Sequence, residues 1–274
     1  MQSKFSAGLA GVVLALMSVL SVLPTQATTI CTLIADAQSR AVLLAEGDCE
    51  SRVTPASTFK LPLAVMAFDA GIITTPHAPK LPFKPGYPDW NANWRQDTDP
   101  TMWMHYSNVW YSQRLTEQLG AETLAAYARN FGFGNADFSG DPGRNNGLER
   151  SWISSSLKIS PLEQAGFVAA FVERQLPVSA QAIEGAISLV ETSGQVGGWQ
   201  IWGKTGSAYP RRADDSFDYA KGWGWYVGWA EKAGWRVVFV RLDQDDRRQE
   251  VSGGLRARDG LVTDWSTLAS KAGL

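Results

Sequence analysis

The 274-residue chain predicts an α+β fold: a central antiparallel sheet flanked by helices, with a mainly helical lobe inserted between its strands. Two observations predict it. The first is the order of the periodic segments, which runs strands, helices, strands. The second is composition: at 45% hydrophobic content the chain is long enough for one good core, and two interleaved lobes are compatible with its length. The sheet lobe is expected over about 28–75 and 185–274, and the helical lobe over about 76–184.

Residues 1–27 stand apart. Lys4 precedes the uncharged, apolar run from Phe5 to Leu23, and Pro24-Thr25-Gln26-Ala27 ends with small residues at its last and third-last positions, as signal peptidase requires. This reads as a cleaved secretory leader, with an uncleaved membrane anchor as the alternative. Ile30 before Cys31 is too bulky for a lipid-attachment site. Without Lys4 the mature chain carries 24 basic and 27 acidic residues, a balance that points away from nucleic acid. Its two cysteines, Cys31 and Cys49, flank the β-rich runs Thr32 to Ala35 and Ala41 to Ala45. In an oxidising compartment they read as a disulfide worth roughly 3 kcal/mol.

The next element is a helix entered at Ser57-Thr58-Phe59-Lys60. The apolar run Phe59 to Ala70 suits a buried helix, and Gly71 stops it. Positions i and i+3 share a helix face, so Lys60 reaches Ser57, and a serine hydroxyl needs such a neighbouring base before it is a useful nucleophile. Aligned N–H groups at the helix start would favour developing negative charge there. Alone, the pattern also fits a plain N-cap with the lysine on a solvated face.

A loop rich in proline and aromatics follows from Thr74 to Pro100. Helical patterns then cover Gln113 to Leu119 and Ala121 to Asn130, closed by Gly120 and Gly132. Ser160-Pro161-Leu162-Glu163 is a capping box with proline at the first helical position, and a second helical run covers Ala180 to Glu191. Strands return over Trp199 to Lys204, Trp223 to Ala230 and Trp235 to Leu242, with alternating faces. The charged run Asp243 to Glu250 reads as a solvated turn before a C-terminal helix.

Three segments join the Ser57 motif: Ser107-Asn108-Val109, Phe133-Gly134-Asn135 and Lys204-Thr205-Gly206. Their order and spacing resemble the serine penicillin-recognising enzymes, whose SxxK, serine-loop and KTG elements converge on one groove. The finer resemblance is to the class D β-lactamases, the oxacillinase family. Pro55-Ala56-Ser57-Thr58-Phe59-Lys60 is similar to its nucleophile motif, Ser107-Asn108-Val109 to S-x-V, Phe133-Gly134-Asn135 to Y/F-G-N, and Trp202-Gly203-Lys204-Thr205-Gly206 to its KTG strand. Trp152 stands where that family places a tryptophan against its modified lysine. Phe133 departs from the commoner tyrosine and removes a phenolic hydroxyl. Tyr106-Ser107-Asn108 also fits the Y-x-N of class C enzymes, but the mature chain is short for that class, and no E-x-x-L-N segment supports class A.

The resemblance implies a transpeptidase-like fold as a single catalytic domain over 28–274, acting in the periplasm on penicillin-type antibiotics. It implies catalytic roles for Ser57, Lys60 and Ser107, and substrate binding by Val109, Trp152, Lys204, Thr205, Gly206, Ser207 and Arg256, with Arg258 as second choice. It implies no metal or organic cofactor, only carbon dioxide or bicarbonate to carbamylate Lys60. A monomer or homodimer is expected, with no membrane attachment after leader cleavage. His77 and His105 belong to no visible Ser-His-Asp triad or zinc motif, so Lys60 must be the base. Two other readings share these motifs: a penicillin-binding transpeptidase or carboxypeptidase, and a β-lactam sensor domain that binds the drug without hydrolysing it. Substrate preference is expected to depend on the loops Trp90 to Trp103 and Tyr209 to Tyr219.

Overall fold

The computed structural model describes residues 27–274; the expected leader lies outside the described residues except for Ala27. The first hairpin pairs β1 (Thr28–Asp36) with β2 (Val42–Gly47), and Cys31 is disulfide-bonded to Cys49 just beyond it. A 3-10 turn at Ala56–Phe59 leads into α1 (Lys60–Asp69). Pro62 is tolerated there because an N–H in the first helical turn has no intrahelical partner to lose. The helix ends with Gly71 at φ +69°, as the apolar pattern predicts.

The helical region contains α2 (Pro100–His105), α3 (Val109–Leu119), α4 (Ala121–Asn130), α5 (Gly147–Arg150), α6 (Pro161–Val172) and α7 (Ala180–Ser188). The capping box at Ser160 forms in both directions. The chain then returns through β3 (Thr192–Val196), β4 (Trp199–Ala208), β5 (Trp223–Lys232) and β6 (Trp235–Gln244) to α8 (Gly253–Lys271). The six strands form one sheet, order β2-β1-β6-β5-β4-β3, antiparallel throughout.

Period-two alternation gives the sheet two buried faces. Trp225, Val227 and Trp229 of β5 with Val238, Val240 and Leu242 of β6 join a core that includes α6 and α1. The intervening Tyr226, Val237 and Phe239 meet Ala257, Leu261, Trp265 and Leu268 of α8 on the other face. Those α8 positions recur at helical spacing, so one stripe covers the sheet while the rest of the helix faces water.

Three expectations are corrected. β3 carries no strand signal in the sequence because Thr-Ser-Gly-Gln-Val has no apolar alternation; it is a largely exposed edge strand. Lys204-Thr205-Gly206 lies within β4 and not at its end, since Gly206 and Ser207 still pair with Trp225 and Gly224. The charged run is not wholly solvated. Asp243 is the penultimate residue of β6 and is buried against Arg241, and Asp245 is buried against Arg256. Burial pushes both carboxyls above their ordinary range while the arginines pull the other way.

The disulfide spans 18 positions in sequence. Replacing both cysteines by serine should lower the unfolding free energy by about 3 kcal/mol in urea titration. An unchanged midpoint would show that the hairpin holds without its staple.

Candidate active site

The turn that carries Ser57 is fixed from several directions. Ala56 adopts φ +52°, a costly conformation for a residue with a Cβ, and its N–H donates to Trp152 O at 2.9 Å. Pro55 O accepts from the Thr58 N–H and from Thr58 Oγ1, and the Gln164 amide donates to the same Oγ1 at 2.7 Å. Thr54 Oγ1 donates to Trp152 O, and Trp225 Nε1 donates to Thr54 O. These contacts over-determine the backbone and leave the Ser57 side chain in the wall of a cleft.

Lys60 lies one turn on, at the first position of α1 and only 1% exposed. The plain N-cap reading, with the lysine on a solvated face, is therefore overturned. Its Nζ is buried with no hydrogen-bond partner among the described residues, 5.9 Å from the Trp103 ring centroid. Phe59 stacks on Trp152 at 5.3 Å beside it. Burial, helped by the nearby charge of Lys204, holds the Lys60 amine well below the ordinary lysine range.

Ser107 connects α2 to α3 with φ +55°. Asn108 is fully buried, with its side chain capping α3 through the Tyr111 N–H and donating to Thr98 Oγ1. That role takes it out of the cleft, so the Y-x-N reading loses its asparagine. Lys204 Nζ donates to Ser107 Oγ at 3.1 Å and to Thr205 O at 3.3 Å. Burial brings this second amine down to about 8, although Glu191 pulls it upward.

Gly206 shows why the third motif needs glycine. A Cβ there would stand 3.0 Å from Pro55 O and 3.2 Å from Ser57 N, so a side chain would push β4 away from the nucleophile turn. β3 pairs with β4 only as far as Trp202, which leaves the edge carrying Thr205, Gly206 and Ser207 in the cleft wall. Ser207 Oγ accepts from Gly254 N and ties α8 to β4.

The Phe133 turn acts from outside the cleft. At Gly134, φ is +60° and a Cβ would meet Lys158 O at 2.1 Å. Asn135 donates to Ser156 O and accepts from Lys158 N, which fixes the segment that carries Trp152. Phe133 is fully buried, edge-on to Phe167, so its ring serves as packing.

The cleft holds about 370 Å³ around Ser57, Ser107, Val109, Thr205, Gly206 and Ser207. On one side it shares Thr205, His105 and Leu255 with a polar cavity of about 450 Å³ lined by Lys204 and Arg258; on the other it shares Trp90, Ile153 and Ser207 with an aromatic one of about 410 Å³. Arg256 is the correction here. Its guanidinium contacts Asp245 and Val251 O, and it lines a cavity with Arg241 and Asp243 instead of the cleft. Arg258 occupies the place expected of Arg256 because α8 sets Gly254 against Gly206, and a residue four positions on shares that face. Sequence reasoning also missed Trp103 over Lys60 and the His105–Glu191 pair at the cleft edge. The signal for Trp103 was available in Asp99-Pro100, an N-cap followed by proline, which sets the phase of α2.

Comparison with known proteins adds three findings. The penicillin binding protein transpeptidase domain family matches residues 11–260. β-Lactamase OXA-9 of Klebsiella pneumoniae is 41% identical over 87% of each chain, and β-lactamase OXA-1 of Escherichia coli is 35% identical over 87% of this chain and 84% of its own. The crystal structure of the class D β-lactamase OXA-427 superposes with a TM-score of 0.82 at 44% identity, covering 89% of this chain and 100% of that one.

A lysine whose folded pKa is depressed destabilises the fold below that value, and the penalty fades as pH rises toward its unfolded value near 10.5. For Lys204 the window runs from about 8 upward. The unfolding free energy should therefore rise with pH across pH 8 to 10 in the native chain, and Lys204→Met should make that rise shallower, leaving the share that Lys60 contributes. Parallel profiles for the two would show that Lys204 has an ordinary pKa in the fold.

Proposed function

The chain belongs to the penicillin-binding-protein transpeptidase family and, within it, to the class D β-lactamases, and from that premise we propose that it hydrolyses the β-lactam ring of penicillin-type antibiotics through an acyl-enzyme on Ser57, conferring resistance to them. The observation that carries the mechanism is the buried Lys60 amine, without a hydrogen-bond partner and one turn from Ser57. Burial favours the neutral form of such an amine, and the neutral form is nucleophilic toward carbon dioxide; the resulting carbamate would supply an anionic base with oxygen acceptors at this position. Trp152, stacked on Phe59 beside Lys60, is the residue to hold it.

Lys60 takes the Ser57 proton as Oγ attacks the lactam carbonyl. The backbone N–H groups of Ser57 and Ser207 receive the oxyanion, brought together by the close approach at Gly206. The lactam C–N bond then breaks. Ser107, hydrogen-bonded by Lys204, passes its proton to the leaving nitrogen and recovers one from the base at Lys60, which is thereby free to act again. Lys204, Thr205 and Arg258 bind the substrate carboxylate at the polar end of the cleft. Water then enters, loses a proton to the base at Lys60, and releases the product from Ser57.

We place the mature protein, residues 28–274, in the periplasm after cleavage of the leader. The Cys31–Cys49 disulfide supports an oxidising compartment. Among the described residues no helix is long and apolar enough to cross a membrane.

Purified mature protein given excess benzylpenicillin should open many equivalents while its intact mass shows only a transient adduct on Ser57. One equivalent opened, with a lasting adduct, would make the protein a penicillin-binding or sensor protein instead.

A further inference from the structure

The aromatic cavity beside Ser207 is built from Trp90, Ile153, Tyr209, Phe217 and Tyr219, and Arg150 is the one charged residue that lines it among the described residues. An apolar box of this kind suits the aryl acyl side chain of a penicillin, which would leave the carbonyl bound at Ser57 and pass Ser207. Two residues of its wall each carry a buried polar atom that has no such explanation. Ser154 Oγ is buried without a hydrogen-bond partner on a residue 9% exposed and held at φ +55°. Arg150 Nε is likewise buried without a partner.

The nearest acid does not satisfy Arg150. Asp141 is 3.8 Å from Nε, beyond hydrogen-bond reach, and its oxygens already accept from Arg211 at 3.1 Å, from Ser155 at 2.7 Å and from Asn146 at 3.1 Å. Two guanidinium groups thus share one carboxylate. Glu149 lines a neighbouring cavity together with Arg150 and attracts its charge, but makes no hydrogen bond to it. Arg150 lies 5.6 Å over the Phe217 ring and Arg211 lies 4.4 Å over it, so the aromatic floor and the cationic wall are in contact. Arg211 also donates to Ser154 O and Asp215 O, which holds the β4–β5 loop against the wall.

We propose that Arg150 and Ser154 make this cavity selective for aryl acyl side chains that carry an anion next to the ring, such as a penicillin with a carboxylate on the benzylic carbon. The ring packs among Phe217, Tyr209 and Trp90, the carboxylate accepts from the Arg150 guanidinium, and Ser154 Oγ donates to the same carboxylate. This rests on the hydrolase reading and names its preferred substrate class. Arg150 and Ser154 are specificity residues; neither touches the reacting atoms.

Benzylpenicillin and carbenicillin differ by that one carboxylate, so the ratio of their kcat/KM values isolates the contact. Arg150→Gln should lower the carbenicillin-to-benzylpenicillin ratio by about tenfold or more, the size expected for a lost charge-assisted hydrogen bond, and Arg150→Lys should restore part of it. Ser154→Ala, which keeps the backbone, should lower the ratio by about threefold and decides the matter if Arg150→Gln does not fold. A ratio that stays within twofold of the native value, roughly RT ln 2, in the Arg150→Gln protein, or in the folded Ser154→Ala protein, would overturn the proposal, as would a proportional fall for both substrates. Benzylpenicillin turnover by the unmutated enzyme reports separately on the hydrolase reading. If the ester on Ser57 were long-lived, its rate of formation by mass spectrometry would give the same ratio.

Discussion

A lysine amine buried in an apolar wall with no hydrogen-bond partner is the constraint on which the rest of the site depends. Removing a charged ammonium from water costs several kcal/mol unless a partner compensates, and none does here. Burial therefore favours the neutral form of the group. Burial is the larger cause and the charge of Lys204 the smaller one, and both favour neutrality at Lys60. The surrounding structure absorbs the cost because α1 is clamped by the sheet core and by α3, α4 and α7.

The second feature of the site is stored conformational strain. Ala56 and Ser107 both adopt left-handed backbone conformations with side chains present, one just before Ser57 and the other beside Lys204. Each is held by a contact at a distance in sequence: Ala56 by Trp152 O, and Ser107 by Lys204 Nζ. Glycine is kept for places where a Cβ would collide. Gly206 admits β4 to the nucleophile turn, and Gly134 lets the chain close on Lys158 and so fixes the approach of Trp152. Three distant segments thereby meet within one cleft whose two ends differ in chemistry, hydroxyl-rich and charged beyond Lys204, aromatic beyond Ser207.

Much of this was legible in the residues. The Ser57 helix, the capping box at Ser160 and the central strands carry strong periodic or capping signals, and the four motifs identified the groove before its geometry was known. What was not legible has physical causes. β3 is an edge strand without an apolar face, so period-two reasoning has nothing to detect. The buried pairs at Asp243 and Asp245 need arginines from elsewhere in the fold, and a local charge run looks solvated without them. The choice between Arg256 and Arg258 is a question of helix phase against β4, set by the contact of Gly254 with Gly206. The lack of a partner for Lys60 likewise belongs to tertiary structure.

The central claim is that the Lys60 amine is neutral in the fold and takes up carbon dioxide, and carbon-13 NMR of protein equilibrated with labelled bicarbonate tests it most directly. One bound carbamate resonance should appear near neutral pH, vanish on acidification as the amine regains its proton, and be missing from Lys60→Met. No such resonance at any pH from neutrality upward at which the protein stays folded would contradict the account.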